Sequence, residues 1–176
     1  MDSLMKEKID RVQFYYQFFF MLKLKFIVVD RTRSSFLKEG ESFYLERLGR
    51  YAHTEWVEVK PARIKKGRPP QDILSTEGRL ILKRILPKDY LIALDRSGKA
   101  LDSKGLAARI DDLSFSHNGL AFVIGGPLGL SKDVLQRAHE TLSLSKLTLT
   151  HEMSRLILLE QLYRGFTILN NEKYHK

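Results

Sequence analysis

Hydrophobic positions recur with two different periods along the chain, and the period changes repeatedly after Met21. In "MLKLKFIVV" Leu22, Leu24 and Phe26 alternate with Lys23 and Lys25, the period-two pattern of a strand. Ser34 or Ser35 can cap a helix running to about Arg50, with Phe36, Phe43, Tyr44 and Leu48 as its expected buried positions. Thr54–Lys60 reads as a second strand, and the basic, Gly/Pro-punctuated stretch Lys60–Pro70 as an exposed loop. A helix from about Gln71 to Leu86 should stop before Pro87. Tyr90–Asp95 predicts a short buried strand, Arg96–Ser103 a loop and Lys104–Leu113 a helix. Leu120–Gly125 predicts a fourth strand and Ser131–Thr141 a further helix. Leu142–Leu149 alternates as a fifth strand or extended segment, and His151 to about Asn170 as a closing helix. Strands interleaved with helices imply an α/β fold with a mainly parallel sheet and helices on both faces.

Ligands of such sheets bind outside the carboxyl ends of the strands. That rim should hold Ala93–Asp95, the glycine stretch "IGGPLG" (Ile124–Gly129) and the end of Leu142–Leu149. The glycine stretch lacks the Lys-Ser/Thr spacing of a phosphate loop, and Gly125 and Gly126 are adjacent rather than separated as in dinucleotide folds. Bare backbone there admits a planar ligand, but glycines alone favour the simpler reading, a tight strand-to-helix turn.

Composition narrows the partners. Thirty Lys and Arg stand against 21 Asp and Glu, a formal charge of +9, which suits RNA, DNA or an anionic surface as well as a merely solvated basic face. The absence of cysteine removes disulfides, thiolate metal sites and cysteine nucleophiles, and fits a reducing cytoplasmic compartment. The five histidines, at 53, 117, 139, 151 and 175, show no paired ligand spacing, so no metal is expected. The apolar run Phe14–Leu22 is too short to span a bilayer, so no membrane partner is expected. Residues 1–20 read as an extension outside the fold, or as a short helix packing on a partner, with 21–176 as one domain. His151 and Arg155 are four apart, hence neighbours on the closing helix, where a first-turn His is more often a cap than a catalyst. Tyr174 and His175 lie in a tail that would ordinarily fray.

Two long segments carry more than periodicity. "FVIGGPLGLSKDVLQRA" and "LSLSKLTLTHEMSRLILLEQLYRGFTILNNEKYHK", with "LDRSGK" upstream, resemble the ribosomal RNA large subunit methyltransferase H family of the SPOUT class. The resemblance spans Met21–Lys176 and is most specific over the last third. It departs at Asp30 where the family usually has Gly, at Thr150 where it has Pro, and at Glu152 where an apolar residue or Pro is usual.

The resemblance implies a homodimer with a SPOUT-type C-terminal trefoil knot. It also implies methyl transfer from S-adenosylmethionine to N3 of a pseudouridine in a large-subunit ribosomal RNA hairpin at the subunit interface. It implies a cofactor pocket formed by Leu94, Gly125, Leu144, Ser145, Lys146, Leu147, Thr148 and Leu149. His151, Arg155, Tyr174 and His175 match the positions used near the target base. Chemically, His175 suits a general base for the N3 proton, Arg155 an electrostatic stabiliser or phosphate clamp, and Tyr174 a stacking partner. Arg63, Lys65, Lys66, Arg68 and Lys99 are candidates for RNA phosphate contacts. Two alternatives share these features: a SPOUT enzyme for another RNA base, and a non-catalytic basic RNA-binding module. Binding of S-adenosylmethionine separates the second, and mapping of ribosomal RNA methylation the first.

Overall fold

The computed structural model describes residues 22–63 and 67–174. Five strands form one sheet in the order β2-β1-β4-β3-β5, and every neighbouring pair is parallel. They are β1 (Lys23–Val29), β2 (His53–Val59), β3 (Tyr90–Ala100), β4 (Gly119–Ile124) and β5 (Glu140–Ser143). The helices are α1 (Ser35–Leu48), α2 (Pro70–Leu82), α3 (Ser103–Ser116), α4 (Lys132–Arg137) and α5 (His151–Leu169).

The period-two pattern divides each central strand between two cores. Leu24, Phe26 and Val28 of β1 join Leu120, Phe122 and Ile124 of β4 in a core closed by α1, α3 and α5. Ile27 and Val29 join Ala121 and Val123 in a second core, closed by α2 and α4 through Ile81 and Val134. Parallel sheets need both faces covered, because their crossover helices lie on the faces. Phe26 is in register with Phe122, and their rings stack at 5.7 Å. Lys25 is therefore buried and not solvated, its Nζ donating to Asp89 Oδ2 at 3.1 Å.

Several element boundaries differ from the sequence reading. Phe36 and Phe43 are 71% and 48% exposed rather than buried, because α1 turns Leu37, Glu41 and Leu48 inward instead. Helix α2 ends at Leu82, four residues early, where Arg84 N–H turns back to Ile81 O and Arg84 O accepts from Lys25. Segment 96–100, expected as loop, continues β3 after a register shift between Leu94 and Lys99.

The largest difference lies between α4 and α5. The chain leaves the helix at Arg137, and His139 is captured by β3: its N–H donates to Leu91 O, and its Nδ1 accepts from Leu91 N–H. Residues 140–143 then pair as the edge strand. Gly98 permits this, since a Cβ there would stand 2.6 Å from the Thr141 carbonyl carbon. Residues 144–150 consequently form a loop and not a strand, with Ser145 Oγ accepting from Leu147 N–H. The chain thus passes from the β5 edge across the rim to α5, whose Arg155 reaches the end of β1, a course that agrees with the expected knot. The reading of residues 1–20 lies outside the described residues. No described helix is long and apolar enough to cross a membrane.

Candidate cofactor cavity and its rim

A cavity of about 670 Å³ opens at the carboxyl ends of β4 and β5 and beside the register shift in β3, a size suited to a nucleoside-sized ligand. Three segments wall it. The middle of β3, where its register shifts, contributes Leu94, Asp95 and Arg96; the glycine stretch contributes Ile124 to Gly129; residues 142–151 contribute most of the third side. Of the cofactor residues expected from sequence, Leu94, Gly125, Leu144, Ser145, Leu147, Thr148 and Leu149 all line it. Lys146 does not: its side chain is exposed, on the outside of the same loop.

The glycine stretch acts differently from a ligand cradle. Gly129 N–H donates to Gly126 O, closing a turn over Pro127 and Leu128. A Cβ on Gly125 would lie 2.3 Å from Gly129 O, so this residue is bare because the turn folds back on it. Gly129 has φ +86°, the left-handed conformation that favours glycine. The simpler turn reading therefore holds for the residues themselves, and the turn as a whole makes the cavity wall.

The first turn of α5 forms the opposite lip. Thr150 caps it, its Oγ1 accepting from Met153 N–H at 3.2 Å. Thr150→Ala should destabilise the fold by about 1 kcal/mol in urea titration, the usual worth of such a cap. His151 and Ser154, three apart, face the cavity. Burial and the nearby Arg155 cation hold the His151 imidazole below its ordinary pKa of 6.5, so it stays neutral at neutral pH. The unfolded chain then takes up the proton first as pH falls. Stability from neutral His151 is thus present above pH 6.5 and lost through the acid side of it. Chemical denaturation at pH 7.5 and 5.5 should show a smaller acid loss in His151→Gln than in the parent.

Arg155 is the largest fully buried side chain, 1% exposed, and does not line the cavity. It reaches under the rim, donating from Nη2 to Val29 O at 2.6 Å and from Nη1 to Thr32 Oγ1 at 2.8 Å. Thr32 in turn donates to Glu41 Oε1 at 2.7 Å. That placement holds the end of β1, and it does not present a cation to a ligand.

Tyr174 is not frayed. Its ring packs edge-on against Tyr163 at 4.8 Å, and its hydroxyl donates to Glu160 at 3.2 Å. Burial, Tyr44 and Glu160 raise its phenol pKa. These partners sit roughly 9–14 Å along α5 from Ser154 at 1.5 Å rise per residue, and Tyr174 does not line the cavity of its own chain. His175 lies outside the described residues, as do Lys65 and Lys66. Arg68 is tied to Arg63 O and Thr76 Oγ1, whereas Lys99 is exposed. No group of three or more metal-ligating side chains occurs among the described residues.

Sequence reasoning did not single out Arg96, Thr150 or Ser154 as cavity residues. Only the i, i+3 spacing of His151 and Ser154 was available to reveal the last of these.

The family model described as "Predicted SPOUT methyltransferase" matches residues 22–175. A relative from Moorella thermoacetica, "Ribosomal RNA large subunit methyltransferase H", is 42% identical over 160 residues, covering 89% of this chain and all of its own. One of the same name from Syntrophotalea carbinolica is 43% identical over 155 residues, covering 88% and 99%. Among solved structures, a probable methylase family protein from Haemophilus influenzae Rd KW20 superposes with TM-score 0.52 at 16% identity, covering 89% of this chain and 71% of its own. A probable methyltransferase from Bordetella pertussis Tohama I gives TM-score 0.52 at 15% identity, covering 82% and 96%. At those identities the two structures speak for the fold alone.

Proposed function

Because the chain belongs to the ribosomal RNA large subunit methyltransferase H family, of the SPOUT class, and is thus a methyltransferase of ribosomal RNA, we propose its cofactor and target. It takes the methyl group from S-adenosylmethionine and delivers it to N3 of a pseudouridine in a large-subunit hairpin at the subunit interface. It works in the cytoplasm as a homodimer whose C-terminal region carries the trefoil knot. The observation that carries this reading is the cavity, which gathers all but one of the expected cofactor residues.

The cavity's chemistry fits that cofactor. Leu94, Leu144 and Leu149 offer apolar surface to an adenine, and the 125–129 turn presents backbone without a phosphate-binding lysine. Asp95 at the wall is an anion near which a sulfonium would be favourable. Bound S-adenosylmethionine would supply the activated methyl group. The chain's part is to align the target nitrogen for in-line displacement and to take the N3 proton. His175 is assigned as that base, Tyr174 as the group that stacks on the target base, and Arg155 as the residue that sets the rim beneath it. His151, neutral and facing the cavity, is placed to hydrogen-bond the ring. Since Tyr174 packs well along α5 from its own cavity, a second copy would be the one to receive the tail. Arg63, Lys65, Lys66, Arg68 and Lys99 serve RNA phosphates.

Titration calorimetry with S-adenosylmethionine tests the cofactor. Mapping ribosomal RNA in a deletion strain tests the target: a missing N3-methylpseudouridine, restored by this gene, is the expected result. A different missing methyl group would assign another target, and none would leave a binding module. His175→Ala should lower kcat by about 100-fold, within the usual range for a general base, while cofactor affinity stays within about twofold. Unchanged turnover discards His175 as the base.

A further inference from the structure

Four side chains at the N-terminal end of α5 have separate partners. Thr150 caps the helix, His151 faces the cavity and Arg155 holds the end of β1. Glu152 instead leaves its helix: its carboxylate accepts from the backbone N–H of Arg33 at 3.1 Å and of Ser34 at 3.3 Å. Burial raises its pKa, but those two N–H groups together with His151 and Arg155 outweigh this and bring it below the ordinary carboxylate value. Glu152 is therefore an anion throughout the neutral range.

The loop it grips is held from the other side as well. Asp30 adopts φ +68°, and its carboxylate accepts from Arg31 N–H and pairs with Arg33 Nη2, both at 2.9 Å. Arg155 fixes Val29 and Thr32 on either side of it. The loop adjoins the cavity, since Val29 Cγ1 lies 3.3 Å from where a Cβ on Gly126 would stand. What it displays outward is two guanidinium groups: Arg31 is exposed, and the Arg33 side chain is 72% exposed.

Guanidinium forks match phosphate oxygens, and a loop already ordered loses little entropy when they engage. We infer that Glu152 is a positioning residue that holds Arg31 and Arg33 at the cavity edge, where they grip the phosphodiester backbone of the RNA substrate. The inference rests on the RNA methyl transfer proposed above. It assigns substrate grip to a loop separate from the basic segment 63–68.

The test is methyl transfer from labelled S-adenosylmethionine to ribosomes of a deletion strain, across a range of salt. Arg31→Ala/Arg33→Ala changes only exposed side chains and keeps the test independent of any folding defect at Glu152. That pair and Glu152→Ala should each raise KM for ribosomes by about tenfold, the scale of a lost phosphate contact or two at moderate salt, and flatten the log–log salt dependence by about one to two. Turnover at saturation and affinity for S-adenosylmethionine should stay within about twofold of the parent. The triple variant should be no worse than the arginine pair, because the two changes remove one interaction. Glu152→Gln, which keeps one carbonyl acceptor, should recover part of the KM. Unchanged KM and salt slope in the arginine pair would overturn the inference, and so would additivity in the triple variant. Equal loss of cofactor affinity in Glu152→Ala would do the same. If the parent methylates no ribosome, the proposed function fails instead, and the same variants are then compared for salt-dependent binding to purified ribosomal RNA.

Discussion

Gly125→Ala should weaken S-adenosylmethionine binding by roughly 10- to 100-fold while leaving a folded protein. The new methyl would meet the Gly129 carbonyl oxygen at 2.3 Å and its carbon at 2.5 Å. Both are backbone atoms, and the turn that carries them is closed by the Gly129 N–H to Gly126 O bond. The turn must open by more than an ångström, which moves one whole wall of the cavity. Overpacking of this kind costs about 1–3 kcal/mol, and each 1.4 kcal/mol lost from binding is about tenfold in affinity. Gly129→Ala provides the contrast. Nothing lies within 4 Å of its Cβ, and the penalty is only the left-handed φ of +86°, about 1–2 kcal/mol. Calorimetry and thermal melting of both variants should therefore rank Gly125→Ala as far more damaging to binding. Equal effects would mean that the turn's closure does not shape the cavity.

Arg155→Ala should have the largest effect on stability, about 3–5 kcal/mol, the range found when one member of a buried charged network is removed. The change strands Val29 O and Thr32 Oγ1, which accept its two hydrogen bonds, and leaves Glu41 without the nearby cation. Burial already holds the Glu41 carboxyl above its ordinary pKa, with Thr32 and Arg155 pulling it down. A group whose folded pKa is raised favours the folded state at low pH and costs stability as pH rises through that value. Without Arg155 the Glu41 value rises further, so the gap between parent and variant should be widest above neutrality and narrow toward pH 5. Adding Glu41→Gln should recover part of the loss at neutral pH. A gap that is flat with pH, or no recovery, would mean that Arg155 contributes packing alone.

Much of this protein was legible from its residues because two signals are local. Strand and helix periods alternate along the chain, and that alternation already implies a parallel sheet covered by helices on both faces. Capping residues such as Ser34, Ser131 and Thr150 stand at helix starts and bond the N–H groups just inside them. The positions matching the family segments also converged: Leu94, Gly125 and the run after Leu142 meet around one cavity despite lying in three separate parts of the chain.

What misled the reading was competition between local pattern and distant partners. Residues 138–141 continue a helical pattern, yet β3 offers an open edge, and His139 pairs there through both backbone and ring. Phe36 and Phe43 are the most apolar residues of α1, but the helix is oriented by Glu41, whose bond to Thr32 reaches the Arg155 network. No sequence pattern signals that this carboxylate will face inward, because the Arg155 cation that Thr32 links it to lies more than a hundred residues away.

By itself, then, the sequence determined the alternation of strands and helices, the sheet covered on both faces, the family and most of the residues that line the cavity. Those follow from side-chain period, capping chemistry and motif order, all carried by neighbours along the chain. Only the tertiary structure decided that Gly125 is bare to admit Gly129, that Arg155 is a buried strut and that Glu152 grips the Asp30–Ser34 loop. Each of those rests on a close approach between segments far apart in sequence, where a single ångström separates contact from clash.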